Sequence, residues 1–246
     1  MILKSEAVVL KTHDVRETSR LATFFTKNHG KLNGILKGIR TDHRKFGSNV
    51  DKFSVNDIVY YHHSNADIHL VSQCDLKNYF FPVRQDIKKT MAANYMLELV
   101  NILMPLEEEN KDIYQLILNY LSGLEAATDV DKLVHILQIK ILNLSGFRPH
   151  IDSCLVCDRQ INERSRFSLQ KGGLVCSHCP LSEPQAPLIT KGTVATLLHV
   201  ERNSWEKCLR LGFSAPIKRE LKYLLNNFLV YHLGRPIKSE KYLYRK

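Results

Sequence analysis

Along the first eighty or so positions apolar residues come in short runs broken by polar turn signals, and beyond them a helical period takes over. Ala7 to Thr12, Leu21 to Thr26, Lys31 to Lys37, Val55 to Tyr61 and Asp67 to Gln73 are short segments rich in β-branched and aromatic side chains. Turn signals such as Asn28-His29-Gly30 divide them, so the pattern predicts five strands. Five short strands leave exposed edges unless the sheet closes. The OB-fold, a five-stranded Greek-key barrel whose face and loops bind oligonucleotides, has this count. An SH3-like barrel fits it as well.

From Val83 the stripe becomes helical. Ile87, Met91, Tyr95, Leu99 and Leu103 recur every fourth residue up to Pro105, and Ile113, Leu116, Ile117, Tyr120, Leu121 and Leu124 predict a second helix stopped near Gly123. A third begins at the candidate N-cap Asp129 and carries Leu133, Ile136, Leu137, Ile141 and Leu144 to Gly146. After a break marked by Pro184 and Pro187, Thr190 is placed to cap a short helix through Leu197. Ser214-Ala215-Pro216 then opens a longer helix bearing Leu221, Leu224, Leu225, Phe228 and Leu229, which Gly234 ends. Stripes of this width are core faces and imply a helical bundle.

The break between the third and fourth helices holds the strongest chemical signal. Cys154-Leu155-Val156-Cys157 and Cys176-Ser177-His178-Cys179 are two Cys-x-x-Cys pairs separated by 18 residues. Each pair can present two sulfurs from one turn, so together they offer four soft ligands at about 2.3 Å from a tetrahedral Zn²⁺. Such a shell is closed to water, and the metal in it fastens the fold. Disulfides are the first competing reading, but Met1 to Leu10 carries Lys4 and Glu6 and lacks the apolar run of an export signal. A redox dithiol suits one pair at a helix start rather than two spaced pairs. His199-Val200-Glu201 matches the H-x-E of zinc deaminases, yet it follows the cysteines instead of preceding them, and Val175 stands where a proline belongs. His178 could replace a cysteine in a shell that four thiolates already fill. Cys74 and Cys208 read as small buried hydrophobes.

Composition narrows the partners. The 246 residues are 44% hydrophobic, enough for real cores, and the formal charge is +10. Charge interrupts every apolar stretch before the length of a membrane span, and reduced cysteines without an export signal point to the cytoplasm. A polyanion is the expected partner, nucleic acid ahead of a membrane. Lys27, Lys31, Lys37, Arg40, Arg44 and Lys45 share their stretch with a single acid, Asp42, and a second cluster closes the chain at Arg235, Lys238, Lys241, Arg245 and Lys246. Phe46, Tyr60 and Tyr61 are candidates to stack on bases, although aromatics in small barrels more often fill the core. Walker A, G-x-S-x-G, H-E-x-x-H and G-x-G-x-x-G signatures are all missing, and the acids gather at Glu107 to Asp112 without a histidine beside them. The reading is therefore non-enzymatic.

These residues carry a family resemblance. Arg16-Glu17-Thr18-Ser19-Arg20-Leu21, Phe25-Thr26 with His29-Gly30-Lys31, Lys37-Gly38-Ile39-Arg40 and Arg44-Lys45-Phe46-Gly47 resemble the RecO family of bacterial recombination mediators. Leu144-Ser145-Gly146-Phe147-Arg148-Pro149 before the first cysteine pair, Gly172-Gly173 before the second, and Tyr231 to Ser239 near the C-terminus are similar to it too. One departure is Ser19, where the family often has an acid.

The resemblance covers essentially the whole chain and implies an α+β architecture: residues 1–80 as an OB-fold nucleic-acid-binding domain, 81–149 and 183–246 as a helical domain, and 150–182 as a zinc-binding module inserted in it. It implies a DNA repair and recombination mediator of the RecF-type pathway, cytoplasmic and nucleoid-associated. Such a protein binds single- and double-stranded DNA, anneals complementary strands and helps RecR load RecA on strands coated by single-stranded DNA-binding protein. The expected phosphate contacts are Lys31, Lys37, Arg40, Arg44 and Lys45, with Arg235, Lys238 and Lys241 as a second basic surface. Cys154, Cys157, Cys176 and Cys179 would hold one structural zinc. The acidic tail of single-stranded DNA-binding protein would seek an apolar groove rimmed by cations, expected within 218–238. A zinc-containing RNA-binding or transcription factor and a protein-interaction scaffold are the alternatives from other classes.

Overall fold

A computed structural model describes residues 1–15, 17–41, 46, 50–64, 66–161, 164–180, 182–183 and 185–243. In chain order the elements are β1 (Ile2–Val15), β2 (Ser19–Thr26), β3 (Gly30–Leu36), β4 (Val55–Tyr61), β5 (His69–Asn78), α1 (Phe81–Arg84), α2 (Ile87–Leu103), α3 (Lys111–Glu125) and α4 (Val130–Leu144). Then come β6 (Ser165–Ser168), β7 (Gly173–Cys176), β8 (Leu188–Ile189), α5 (Lys191–Arg202), α6 (Trp205–Arg210), α7 (Ala215–Leu233) and α8 (Glu240–Leu243). They gather into two compact units, Met1–Ala126 with Ile237–Lys246, and Ala127–Pro236.

In the first unit the strands close into a barrel in the order β1-β2-β3-β5-β4, the connectivity of an OB-fold. β1 is much longer than the predicted Ala7 to Thr12 because two neighbours share it. Ile2 to Val8 pairs with β4 and Ala7 to Val15 with β2, and a register shift between Val9 and Lys11 bends the strand from one partner to the other. Its outer end carries exposed His13 and Asp14, which hide it from a hydrophobic pattern. Closure comes from a parallel contact of β3 with β5, Gly34 opposite His69 and Ile35 opposite Leu70. A Cβ on Gly34 would stand 2.5 Å from Val71 Cγ2 and 3.1 Å from the Phe24 ring, so glycine is what lets β5 approach. Ala7, Val9, Phe24, Leu32, Leu36, Ile58 and Val71 fill the interior.

Two capped helices follow. The Asp86 carboxylate accepts the Lys88 and Lys89 amides at the start of α2, and the Asn110 side chain accepts the Ile113 amide at the start of α3. α3 runs through Gly123, where the sequence predicts a stop, to Glu125, because buried Leu124 continues its apolar face. α8, too short to show a period, is tied to α2 by Glu98, which accepts the amides of Lys238 and Ser239, both at 2.8 Å.

In the second unit Asp129 caps α4 through the Lys132 amide. α5 begins after Thr190 as expected, but Thr190 does not cap it: its amide and its hydroxyl both donate to Glu220 Oε2 at 2.9 Å, and the helix extends past Leu197 to Arg202. α6 has six residues, with Trp205 and Cys208 buried, and is too short to display a helical period. A polar line crosses the interior, where Gln138 meets His135 at 3.1 Å and donates to Asn226 Oδ1 at 2.7 Å. The cysteine segment lies between α4 and α5 as a three-stranded antiparallel sheet of order β7-β6-β8, and Phe167 of β6 meets Phe228 of α7 edge to face at 5.8 Å. No described helix is long and apolar enough to cross a membrane.

Candidate nucleic-acid interface and metal centre

The chain leaves β3 through a turn in which the Thr41 amide and hydroxyl both donate to the Gly38 carbonyl at 3.2 Å. Ile39 is buried in the barrel core, and the Arg40 amide donates to the Thr18 carbonyl at 3.2 Å. One apolar anchor thus fixes the turn and leaves Lys37 and Arg40 exposed on either side of it. Asp14 accepts from Arg20 Nε at 2.8 Å and lies 3.7 Å from Arg40 Nε. The Arg20 hydrogen bond holds the Asp14 carboxyl below the usual carboxylate range. One aspartate thus meets both guanidinium groups. Further along the same connection Phe46 and Val50 are buried in the barrel core, while Arg44 and Lys45 lie outside the described residues.

Lys31 is placed differently. It stands at the opposite end of β3, up to about 20 Å from Lys37 at roughly 3.3 Å per residue, and its ammonium donates to the Asn101 carbonyl at 2.7 Å. Of the aromatic candidates, Phe46 and Tyr60 belong to the core and Tyr61 is exposed. Around α8, Lys238 and Lys241 are exposed between buried Ile237 and Leu243, with Lys241 Nζ 4.8 Å from the Tyr242 ring. Arg235 is exposed at the end of the second unit. Lys218, at the start of the stretch expected to rim a groove, is paired with Asp129.

The four cysteines meet. Their sulfurs lie within 4.8 Å of one another, Cys154 buried and the other three partly open to solvent. Cys157 Sγ and Cys176 Sγ are 3.8 Å apart, which matches the edge, about 3.8 Å, of a tetrahedron built on ~2.3 Å bonds. Each pair sits on a tight turn. In the first, the Asp158 amide donates to the Cys154 carbonyl at 2.9 Å and the Val156 amide points at Cys154 Sγ at 3.4 Å. In the second, at the end of β7, the Cys179 amide reaches the Cys176 carbonyl at 3.2 Å, and the Cys176 amide donates to Cys154 Sγ at 3.3 Å. Leu155 and Leu174 join the two turns through an amide-to-carbonyl bond of 2.9 Å.

The electrostatics suit a cation. Burial pushes the Cys154 thiol up, but the amides of Cys176, Val156 and Cys157 outweigh it and bring the group down to about 6. Cys179 is pushed up to about 12, first by its sulfur contacts with Cys157 and Cys176 and then by desolvation. Four sulfurs this close cannot all shed their protons unless a positive ion lies among them. His178 is exposed and stands outside the group, and Cys74 and Cys208 are buried singly.

One arrangement escaped the sequence. Glu107 has two histidine neighbours after all, His62 and His69, brought to it from 45 and 38 residues away. Proximity along the sequence carries no trace of such a pairing.

Comparison with known proteins matches both halves of the chain to one family. The family model described as Recombination protein O N terminal covers residues 1–80, and that described as Recombination protein O C terminal covers 84–241. The chain is 30% identical over 245 residues to the DNA repair protein RecO of Syntrophus aciditrophicus, spanning 98% of this chain and 94% of that one. It is 30% identical over 246 residues to the protein of the same name from Desulforamulus reducens (99% and 94%), and 28% over 247 residues to that of Moorella thermoacetica (98% and 90%).

Proposed function

The chain belongs to the RecO family of DNA repair proteins, and from that premise we propose that it is a non-catalytic recombination mediator that binds single- and double-stranded DNA and anneals complementary strands. Its partners in this reading are RecR, with which it loads RecA, and the acidic tail of single-stranded DNA-binding protein. The observation that carries the reading is a closed five-stranded barrel whose β3 exit turn is anchored by Ile39 and presents Lys37 and Arg40 to solvent. Cations held by backbone geometry against a rigid barrel contact phosphates without reading bases, so binding is insensitive to sequence and steeply dependent on salt.

We assign phosphate contact to Lys37, Arg40, Arg44 and Lys45. Lys31 is left out, since its ammonium is committed to Asn101. Arg235, Lys238 and Lys241 supply a second cationic surface, and two such surfaces reduce the repulsion between strands that annealing must overcome, without nucleotide hydrolysis. Cys154, Cys157, Cys176 and Cys179 hold one zinc ion, whose role when bound is to cross-link the two turns. Protein purified without chelator is expected to contain it on elemental analysis.

Fluorescence anisotropy of a labelled mixed-sequence single strand, measured across a salt series and followed by addition of the complement, tests the function. Binding that weakens steeply with salt, with annealing accelerated by the protein, is the expected result. Reversing Lys37, Arg40 and Arg44 together to Glu should lower affinity on the order of a hundredfold, about 3 kcal/mol. It should flatten the log–log salt slope on the single strand by about 2.1 and leave the thermal midpoint nearly unchanged. Unaltered affinity would move the site elsewhere, and no binding at low salt would give the basic faces to a protein partner.

A further inference from the structure

Three potential metal ligands converge at one end of the barrel, far along the sequence from the cysteines. His62 directly follows β4, His69 opens β5, and Glu107 lies in the connection between α2 and α3. His62 Nε2 is 3.2 Å and His69 Nε2 is 2.7 Å from the same carboxylate oxygen, Glu107 Oε1, and the three ligand atoms lie within 4.8 Å of one another. Bonds of 2.0–2.1 Å in a tetrahedral shell set ligands about 3.3 Å apart, so small side-chain rotations bring all three onto one ion.

The backbone holds each ligand in place. The amide of His62 donates to the Met1 carbonyl at 2.8 Å, and the Met1 ammonium returns a bond to the His62 carbonyl at 3.0 Å. His69 is paired with Gly34 at the parallel closure of the barrel and is buried. Glu107 adopts a left-handed φ of 56°, a conformation unfavourable for a side-chain-bearing residue, and its amide donates to the Lys31 carbonyl at 2.8 Å. The same connection crosses Gly30 so closely that a Cβ there would stand 2.0 Å from the Glu108 carbonyl oxygen. The hydroxyl of Tyr60, whose ring is 5.8 Å from that of His69, is buried without a partner.

We propose that His62, His69 and Glu107 form a second metal site, taking one divalent ion of the zinc class and tying the β4–β5 loop to the α2–α3 connection. Two imidazoles and one carboxylate suit Zn²⁺ and its transition-metal neighbours, whereas Mg²⁺ and Ca²⁺ favour all-oxygen shells. Ligation through Nε2 puts the remaining ring proton of His69 on Nδ1, which is buried with no acceptor. The site is accordingly the weaker of the two, and exchanges its ion while the cysteine site stays filled.

The test uses the full chain with its cysteine-bound zinc in place, dialysed against a weak chelator and titrated calorimetrically with Zn²⁺. One further equivalent is expected, with a thermal midpoint that climbs as zinc is added. Glu107→Gln should abolish that equivalent and His62→Ala should weaken it at least tenfold. Both side chains are at least partly open to solvent, so each variant should keep the unliganded midpoint of the parent. Cobalt loaded at this site should absorb in the visible without the intense thiolate charge transfer of a cysteine shell. No uptake beyond the cysteine zinc would overturn the proposal. So would an added equivalent that both variants leave unchanged. Neither result touches the DNA-binding reading, which rests on other residues.

Discussion

The barrel and the cysteine segment are both built of β-strands, yet they are held in different ways. The barrel strands run from 7 to 14 residues and close around a shared interior, so that every strand is paired on both sides. The cysteine segment has strands of four, four and two residues, and its buried apolar side chains are few, Phe167, Leu174, Val175 and Ile189 among them. A β unit of this size, well below about 40 residues, rarely stands on apolar burial alone. Its four sulfurs lie close enough together to share one coordination shell, which in the proposed zinc-bound form replaces the interior it lacks. The lesson is that strand length decides the means: long strands can enclose a core, and short ones need a covalent or metal cross-link.

The sharpest way to break the comparison is to remove the metal. Structural zinc contributes on the order of 10 kcal/mol in small zinc-binding peptides, more than such a segment can replace. Chelation, or Cys154→Ala with Cys157→Ala, is therefore expected to open residues 150–182, read as loss of hydrogen-exchange protection at the amides of Cys154, Leu155 and Cys176. The strands β1 to β5 should keep theirs. Protection unchanged in both regions would mean that the segment stands without metal.

The converse perturbation is Phe24→Ala. Phe24 is fully buried in the barrel interior and borders Gly34, where β5 closes on β3. Truncating it should cost about 3–5 kcal/mol, seen as a lower denaturation midpoint for the barrel with zinc content unaltered. Zinc lost along with barrel stability would show that the two regions are coupled.

The smallest effect probes a helix end in the cysteine-bearing unit that depends on neither metal nor barrel. Burial raises the Asp129 carboxyl, but the Lys218 ammonium and the Lys132 amide outweigh it and hold the group below its ordinary value. A carboxyl depressed in the folded state contributes stability above its unfolded value near 3.9, and that contribution fades as pH falls through the folded value. Asp129→Ala should thus cost about 1 kcal/mol at pH 7, with the difference from the parent shrinking below about pH 4. A difference independent of pH would assign the loss to packing.

Much of this was legible in the chain. The β-branched and aromatic run from Val55 to Tyr61 marks β4 with the same limits as the structure, and Asp129 caps its helix as its residue type and place suggest. The cysteine spacing brought four sulfurs together because each pair spans a single turn, and local geometry needs no distant partner. What failed to show was short or non-local. α6 and α8 lack the length to display a period, and the far end of β1 is polar because only its pairing with β2 makes it a strand.

By itself, then, the sequence determined the longer helices, the cationic excess and the four cysteines that could hold a metal, since periodicity, composition and tight-turn spacing are local properties. Tertiary structure alone decided which cations face solvent. Lys31 and Lys37 are indistinguishable in sequence, but one meets the Asn101 carbonyl and the other is exposed beside a turn pinned by Ile39. It also decided that Glu107 would find His62 and His69. Barrel closure and the packing of the α2–α3 connection join residues dozens of positions apart, and no local pattern records which distant side chains a closed fold will bring face to face.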